Sequence, residues 1–115
     1  MYTVDDLKVI FNKAKVAAEL ASEQVYSKYG TDHVGACGFA WVDIYEFEGK
    51  RLKGNTKMGK ALKAAGIEQN WQRTFSQWCN WYGGQNIDIK EAGARAYANV
   101  LKGYGFTAYA GSRLD

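Results

Sequence analysis

A chain of 115 residues and 12.8 kDa, with 47% hydrophobic, 23% charged and 15% aromatic residues, has the length and mix of one domain and excludes large multi-domain enzyme architectures. A chain of this size buries roughly 65% of its extended-chain surface, enough for one core without metal or disulfide support. No apolar run approaches the roughly 18 residues that cross a bilayer, and the N-terminus lacks the basic region and apolar block of a signal peptide. The expectation is therefore a cytoplasmic protein whose two cysteines are reduced thiols.

The net charge of +3 is unevenly spread. Residues 50–67 hold Lys50, Arg51, Lys53, Lys57, Lys60 and Lys63 and no acid, a local excess of +6 that leaves −3 for the remainder. Such a segment suits phosphate, nucleic acid or an acidic protein surface, and equally suits a solvated loop and helix face.

Thr3 and Asp6 have capping-box spacing, and Leu7, Ile10, Phe11, Ala14, Ala17, Ala18, Ala21 and Val25 then recur with helical period. This predicts an amphipathic helix over residues 4–28, with Gly30 as its stop. The period changes to two over residues 37–47. Ala40, Val42 and Ile44 point one way along that strand, while Phe39, Trp41, Asp43, Tyr45 and Phe47 point the other. Asn55 or Thr56 caps a short helix with Met58, Ala61, Leu62 and Ala65 inward, Lys57, Lys60 and Lys63 outward, and Gly66 at its end. Residues 71–82 read as a strand ending at Gly83-Gly84, with a helix through Phe75, Trp78 and Tyr82 as the competing reading. Asp88 and Glu91 form a second capping box before Ala92, Ala96, Tyr97, Val100 and Leu101, and Gly103 and Gly105 stop that helix. Residues 106–110 read as the last strand and residues 112–115 as a terminus. The order predicts an α+β fold in two layers, three helices packed on one face of a small three-stranded sheet. Helical crossovers permit parallel pairing, and strand order stays open.

Gly54-Asn55-Thr56-Lys57-Met58-Gly59-Lys60 has the glycine and lysine spacing of a phosphate-cradling loop. Ala61 stands where the magnesium-binding hydroxyl belongs, and residues 50–53 are a poor buried strand, so a nucleotide triphosphatase is not expected. What survives is an anion site at a helix start flanked by Lys57 and Lys60, or a plain basic helix start. His33 beside Asp32 is the one histidine and can serve a hydrolase as base next to Cys37 or Ser76; a surface histidine accounts for it as well. One histidine and two cysteines do not make a closed zinc site, and no cofactor is expected. Asp43, Glu46 and Glu48 read either as paired carboxylates or as the wet edge of a strand.

Seventeen aromatic rings in 115 residues exceed what one small core takes in. If Ala108 and Ala110 join Ala40, Val42 and Ile44 under the helices, then Thr107, Tyr109, Gly111 and Arg113 share the outer face with Phe39, Trp41 and Tyr45. That face has three uses: closing against a second subunit, stacking a planar ligand or base, or lying under an ordinary covering layer. Trp41, Tyr45, Trp81 and Tyr109 are the candidate stacking residues, and Arg113, Lys57 and Lys60 the candidates for negative charge.

Cys37-Gly38-Phe39-Ala40-Trp41-Val42, the Trp81-Tyr82-Gly83-Gly84 turn and Ala108-Tyr109-Ala110-Gly111-Ser112-Arg113-Leu114-Asp115 together resemble a largely uncharacterised family of small accessory proteins encoded by tailed bacteriophages. The likeness spans residues 35–115 and carries no catalytic residues with it. It implies a non-enzymatic protein of the host cytoplasm that counters host processes, including antiviral defence, by binding. Joined to the aromatic and cationic residues, this gives an expected homo-oligomer that binds a nucleotide-like anionic ligand. The alternatives are a nucleic-acid-binding module using residues 50–63, an inhibitor that binds a host protein directly, and a small hydrolase using His33.

Overall fold

A computed structural model describes residues 2–29, 38–45, 51–70, 72–79 and 86–114. Along them three helices alternate with three strands: α1 (Val4–Tyr29), β1 (Gly38–Tyr45), α2 (Lys57–Ala64), β2 (Phe75–Trp78), α3 (Ile87–Gly103) and β3 (Thr107–Leu114). Local chemistry sets the helix starts. Thr3 Oγ1 accepts from the Asp6 amide at 3.1 Å while Asp6 Oδ2 accepts from the Thr3 amide at 2.9 Å, which closes the predicted capping box. Thr56 Oγ1 accepts from the Gly59 amide to start α2, and Gly66 at φ +94° takes the chain out of it. The cap of α3 is Asn86 rather than Asp88: Asn86 Oδ1 accepts from the Ile89 amide at 3.1 Å. Beginning two residues earlier brings Ile87 and Ile89 under cover, and leaves Asp88 in the first turn, where its charge suits the helix dipole.

The strands form one sheet in the order β2-β1-β3, and both pairings are antiparallel, so the parallel arrangement that the crossovers allowed is not used. An antiparallel sheet tolerates water on one face, which this one needs. β2 has four residues instead of the twelve expected. Asn70 Oδ1 accepts from the amides of Gln72 and Thr74, and Arg73 takes a left-handed φ of 62°, so a side-chain-held turn occupies the segment before Phe75. β3 runs four residues further than expected, and Ser112, Arg113 and Leu114 pair with Ala40, Phe39 and Gly38. Gly30, His33, Cys37, Glu46, Phe47, Glu48, Lys50, Trp71, Trp81, Tyr82 and the Gly83-Gly84 pair lie outside the described residues.

The two-layer α+β architecture is as expected. α3 lies on β1 and β3, α1 crosses α3, and α2 packs beside α1. Leu7, Ile10, Phe11, Val42, Ile44, Leu62, Phe75, Leu101 and Phe106 belong to one buried cluster. Ala108 joins it, whereas Ala110, on the same side of the edge strand, is exposed. Small residues let the long helices meet: Ala14, Ala18, Ala94 and Ala98 are buried, and a Cβ on Gly93 would stand 2.6 Å from Ser22 Oγ and 3.4 Å from the Ala18 carbonyl oxygen. Ser22 Oγ in turn donates to the Ile89 carbonyl at 2.9 Å, so the crossing has a buried hydrogen bond at its closest point. Among the described residues no helix is long and apolar enough to cross a membrane.

Overpacking this crossing is expected to cost about 1–3 kcal/mol, so Gly93→Val lowers the urea midpoint. Gly103→Ala, where an added Cβ meets nothing within 4 Å, removes a helix glycine, adds up to about 1 kcal/mol to the unfolding free energy and raises the midpoint accordingly.

Candidate ligand-binding face

The pleat of β1 buries Ala40, Val42 and Ile44 and turns Phe39, Trp41, Asp43 and Tyr45 to the side away from the helices. Pairing extends that face. On β3, Arg113 stands opposite Phe39, Gly111 opposite Trp41, Tyr109 opposite Asp43 and Thr107 opposite Tyr45; on β2, Trp78 stands opposite Trp41 and Ser76 opposite Asp43. The rings touch edge to face. Trp78 lies 5.7 Å from Trp41 and 6.2 Å from Phe39, and Tyr45 lies 5.7 Å from Tyr109, centroid to centroid. Trp78 and Tyr109 remain 54% and 57% exposed.

Gly111 is what lets the Trp41 indole lie across β3, since a Cβ there would come within 2.6 Å of indole Cε2 and Nε1. The indole N–H donates to Asp43 Oδ2 at 3.3 Å. Burial among the rings pushes the Asp43 carboxyl above its ordinary range, and the bond from Trp41 offsets part of that rise. Positive charge gathers at one end. The Arg113 guanidinium lies 5.4 Å from the Phe39 centroid, and Lys90 Nζ, reaching from α3, lies 5.3 Å from the same ring while donating to the Gly38 carbonyl at 2.9 Å. The face thus has rings, an acid at its centre and the exposed Arg113 at one end, with the buried Lys90 behind Phe39.

Four expected site residues, Trp41, Tyr45, Tyr109 and Arg113, fall on this face. Trp81 lies outside the described residues. Lys57 and Lys60 are exposed on α2, in the helical layer, and no described contact joins them to the rings. Trp78 completes the face and the buried Lys90 backs it, and neither is among the expected site residues. Trp78 was detectable as a second tryptophan able to pair with Trp41 once residues 75–78 are read as a strand; Lys90 carries no sequence signal, because its position reads as ordinary helix surface. Cys79 is buried and its thiol is pushed up to about 12 by that burial, the opposite of what a nucleophile requires. The described residues contain no group of three metal-binding side chains. Compared with protein-family models, curated proteins and solved structures, the chain matches none.

Because folding raises the Asp43 carboxyl above 3.8, its protonated form is favoured by the fold: that contribution is full below pH 3.8 and is lost as pH rises through the raised value. Asp43→Asn keeps an acceptor for Trp41 and is expected to raise the melting temperature at pH 7. The gain should vanish in melts recorded below pH 3.8.

Proposed function

We propose that the protein is a non-enzymatic binding module that stacks the planar base of a nucleotide-like anionic ligand on its outer sheet face. The observation that carries this reading is that the described core closes with Phe75, Leu101, Phe106 and the aliphatic residues, while Trp41, Trp78, Tyr45 and Tyr109 stay on the far side of the sheet. Surplus ring surface held in fixed edge-to-face contacts is a ready stacking platform. A base lies over Trp41 and Trp78, and its phosphate meets exposed Arg113, with Lys90 adding positive potential behind Phe39. Asp43 repels phosphate from the centre and has a second carboxylate oxygen to accept an N–H from the base edge. The cationic contact in this reading is Arg113, with the buried Lys90 contributing potential only, in place of Lys57 and Lys60.

The resemblance to small phage accessory proteins supplies the setting: a binder in the host cytoplasm that counters host processes by sequestering such a ligand. The same face is available to a second copy of the chain, so subunit number is measured together with binding.

Titration with AMP and GMP, followed by tryptophan fluorescence, is expected to saturate. Trp78→Ala should weaken binding by about 1–3 kcal/mol per lost stack and, by removing its two ring contacts, lower the melting temperature by several degrees, so binding is compared well below the transition of both proteins. Sedimentation of the same samples reports whether the face is closed between two copies. Binding that is identical in the wild type, Trp41→Ala and Trp78→Ala would remove this face as the site.

A further inference from the structure

A second feature lies apart from the rings. Where the chain passes from residue 51 to α2 and on to β2, a recess of about 600 Å³ is lined by Arg51, Lys53, Gly54, Lys63, Gln69 and Arg73 together with Asn55. Among the described residues that line it, four are cations and none is an acid. The two ion pairs among the described residues are Lys15 with Glu19 and Arg95 with Glu91, so none of the four is neutralised by a described carboxylate. Gathering like charges around one concavity is unfavourable unless solvent or a counter-charge relieves it.

The recess is also built. Arg51 Nη2 donates to the Gln72 carbonyl at 2.6 Å and Gln69 Nε2 to the Arg73 carbonyl at 2.9 Å, while Asn70 secures the turn from within. Arg73 holds a left-handed φ of 62°, a conformation that costs free energy for a residue with a side chain. A Cβ on Gly54 would fall 2.6 Å from both Lys63 Nζ and Gln69 Oε1, so the absence of a side chain there lets the lysine tip and the amide come over the loop. Lys57 and Lys60, on the same helix as Lys63, do not line the recess. Charge that converges on a concavity from three separate segments suits a compact polyanion, whereas a nucleic-acid backbone is followed by charge laid out along a stripe.

We infer that this recess is a second binding site, independent of the aromatic face, for a ligand group carrying two or more linked phosphates. The lysines and arginines meet the phosphate oxygens, and the Gln69 side chain contributes a polar contact at the wall.

Calorimetric titration of the full chain with inorganic tripolyphosphate at about 150 mM salt tests it. One saturable site is expected, weakened about tenfold in each of Lys63→Gln and Arg73→Gln by loss of a charge-assisted contact. The charge-matched Lys57→Gln and Lys60→Gln, and Trp78→Ala on the other face, should each change it by less than about twofold. Should Arg73→Gln fail to fold, Lys53→Gln replaces it, since the Lys53 side chain makes no described hydrogen bond. No saturable binding, or equal weakening by the lysines outside the recess, overturns the site. Nucleotide stacking on the sheet is read separately by fluorescence and stands or falls on its own.

Discussion

β1 is paired on both sides, so its pleat decides which layer receives every side chain along it. Val42 and Ile44 are wholly buried, and each such side chain contributes roughly 1.5–3 kcal/mol when removed from water. A slip of one residue would send both into solvent and bring Trp41, Asp43 and Tyr45 under the helices. A carboxylate without a cation would then enter the core, at a cost of several kcal/mol. The register is consequently held by the aliphatic side, and the residues opposite are fixed in place by a packing problem in which they take no part.

That separation explains how a small protein carries so much ring surface. Each edge-to-face contact is worth about 0.5–1.5 kcal/mol, so the contacts joining Phe39, Trp41 and Trp78, and Tyr45 with Tyr109, hold the rings without needing a covering layer. A surface ordered in advance loses less entropy when something settles on it. Asp43 and Arg113 interrupt it with charge and give it polarity along the strands. An approaching molecule with one flat end and one negative end has a single favourable orientation there.

Much of this was legible in the sequence, and what was not has local causes. The helices announced themselves through period and caps, as at Thr3 with Asp6 and at Thr56 with Gly66. The outer membership of Trp41, Tyr45, Tyr109 and Arg113 followed from alternation. Residues 71–82 misled because the turn that shortens β2 is made by the Asn70 carboxamide and the backbone of Arg73, neither of which leaves a hydrophobic pattern. The end of β3 was concealed by polar residues that read as a tail, although an edge strand over a wet face has no need of apolar ones. Charge in a sequence has no direction: it does not tell that Lys57 and Lys60 lie on α2, apart from the rings, or that Lys90 reaches the Gly38 carbonyl, which is a tertiary fact.

Gly111 gives the aromatic face a determinant that is not aromatic. The attitude of the Trp41 indole depends on a missing methyl group across the strand pair. Two chains could therefore share every ring of this surface and still present different footprints, if one carried alanine at that register and its indole were forced to tilt. What such surfaces select is written partly in their empty positions, and a comparison of ring-bearing residues alone would overlook it.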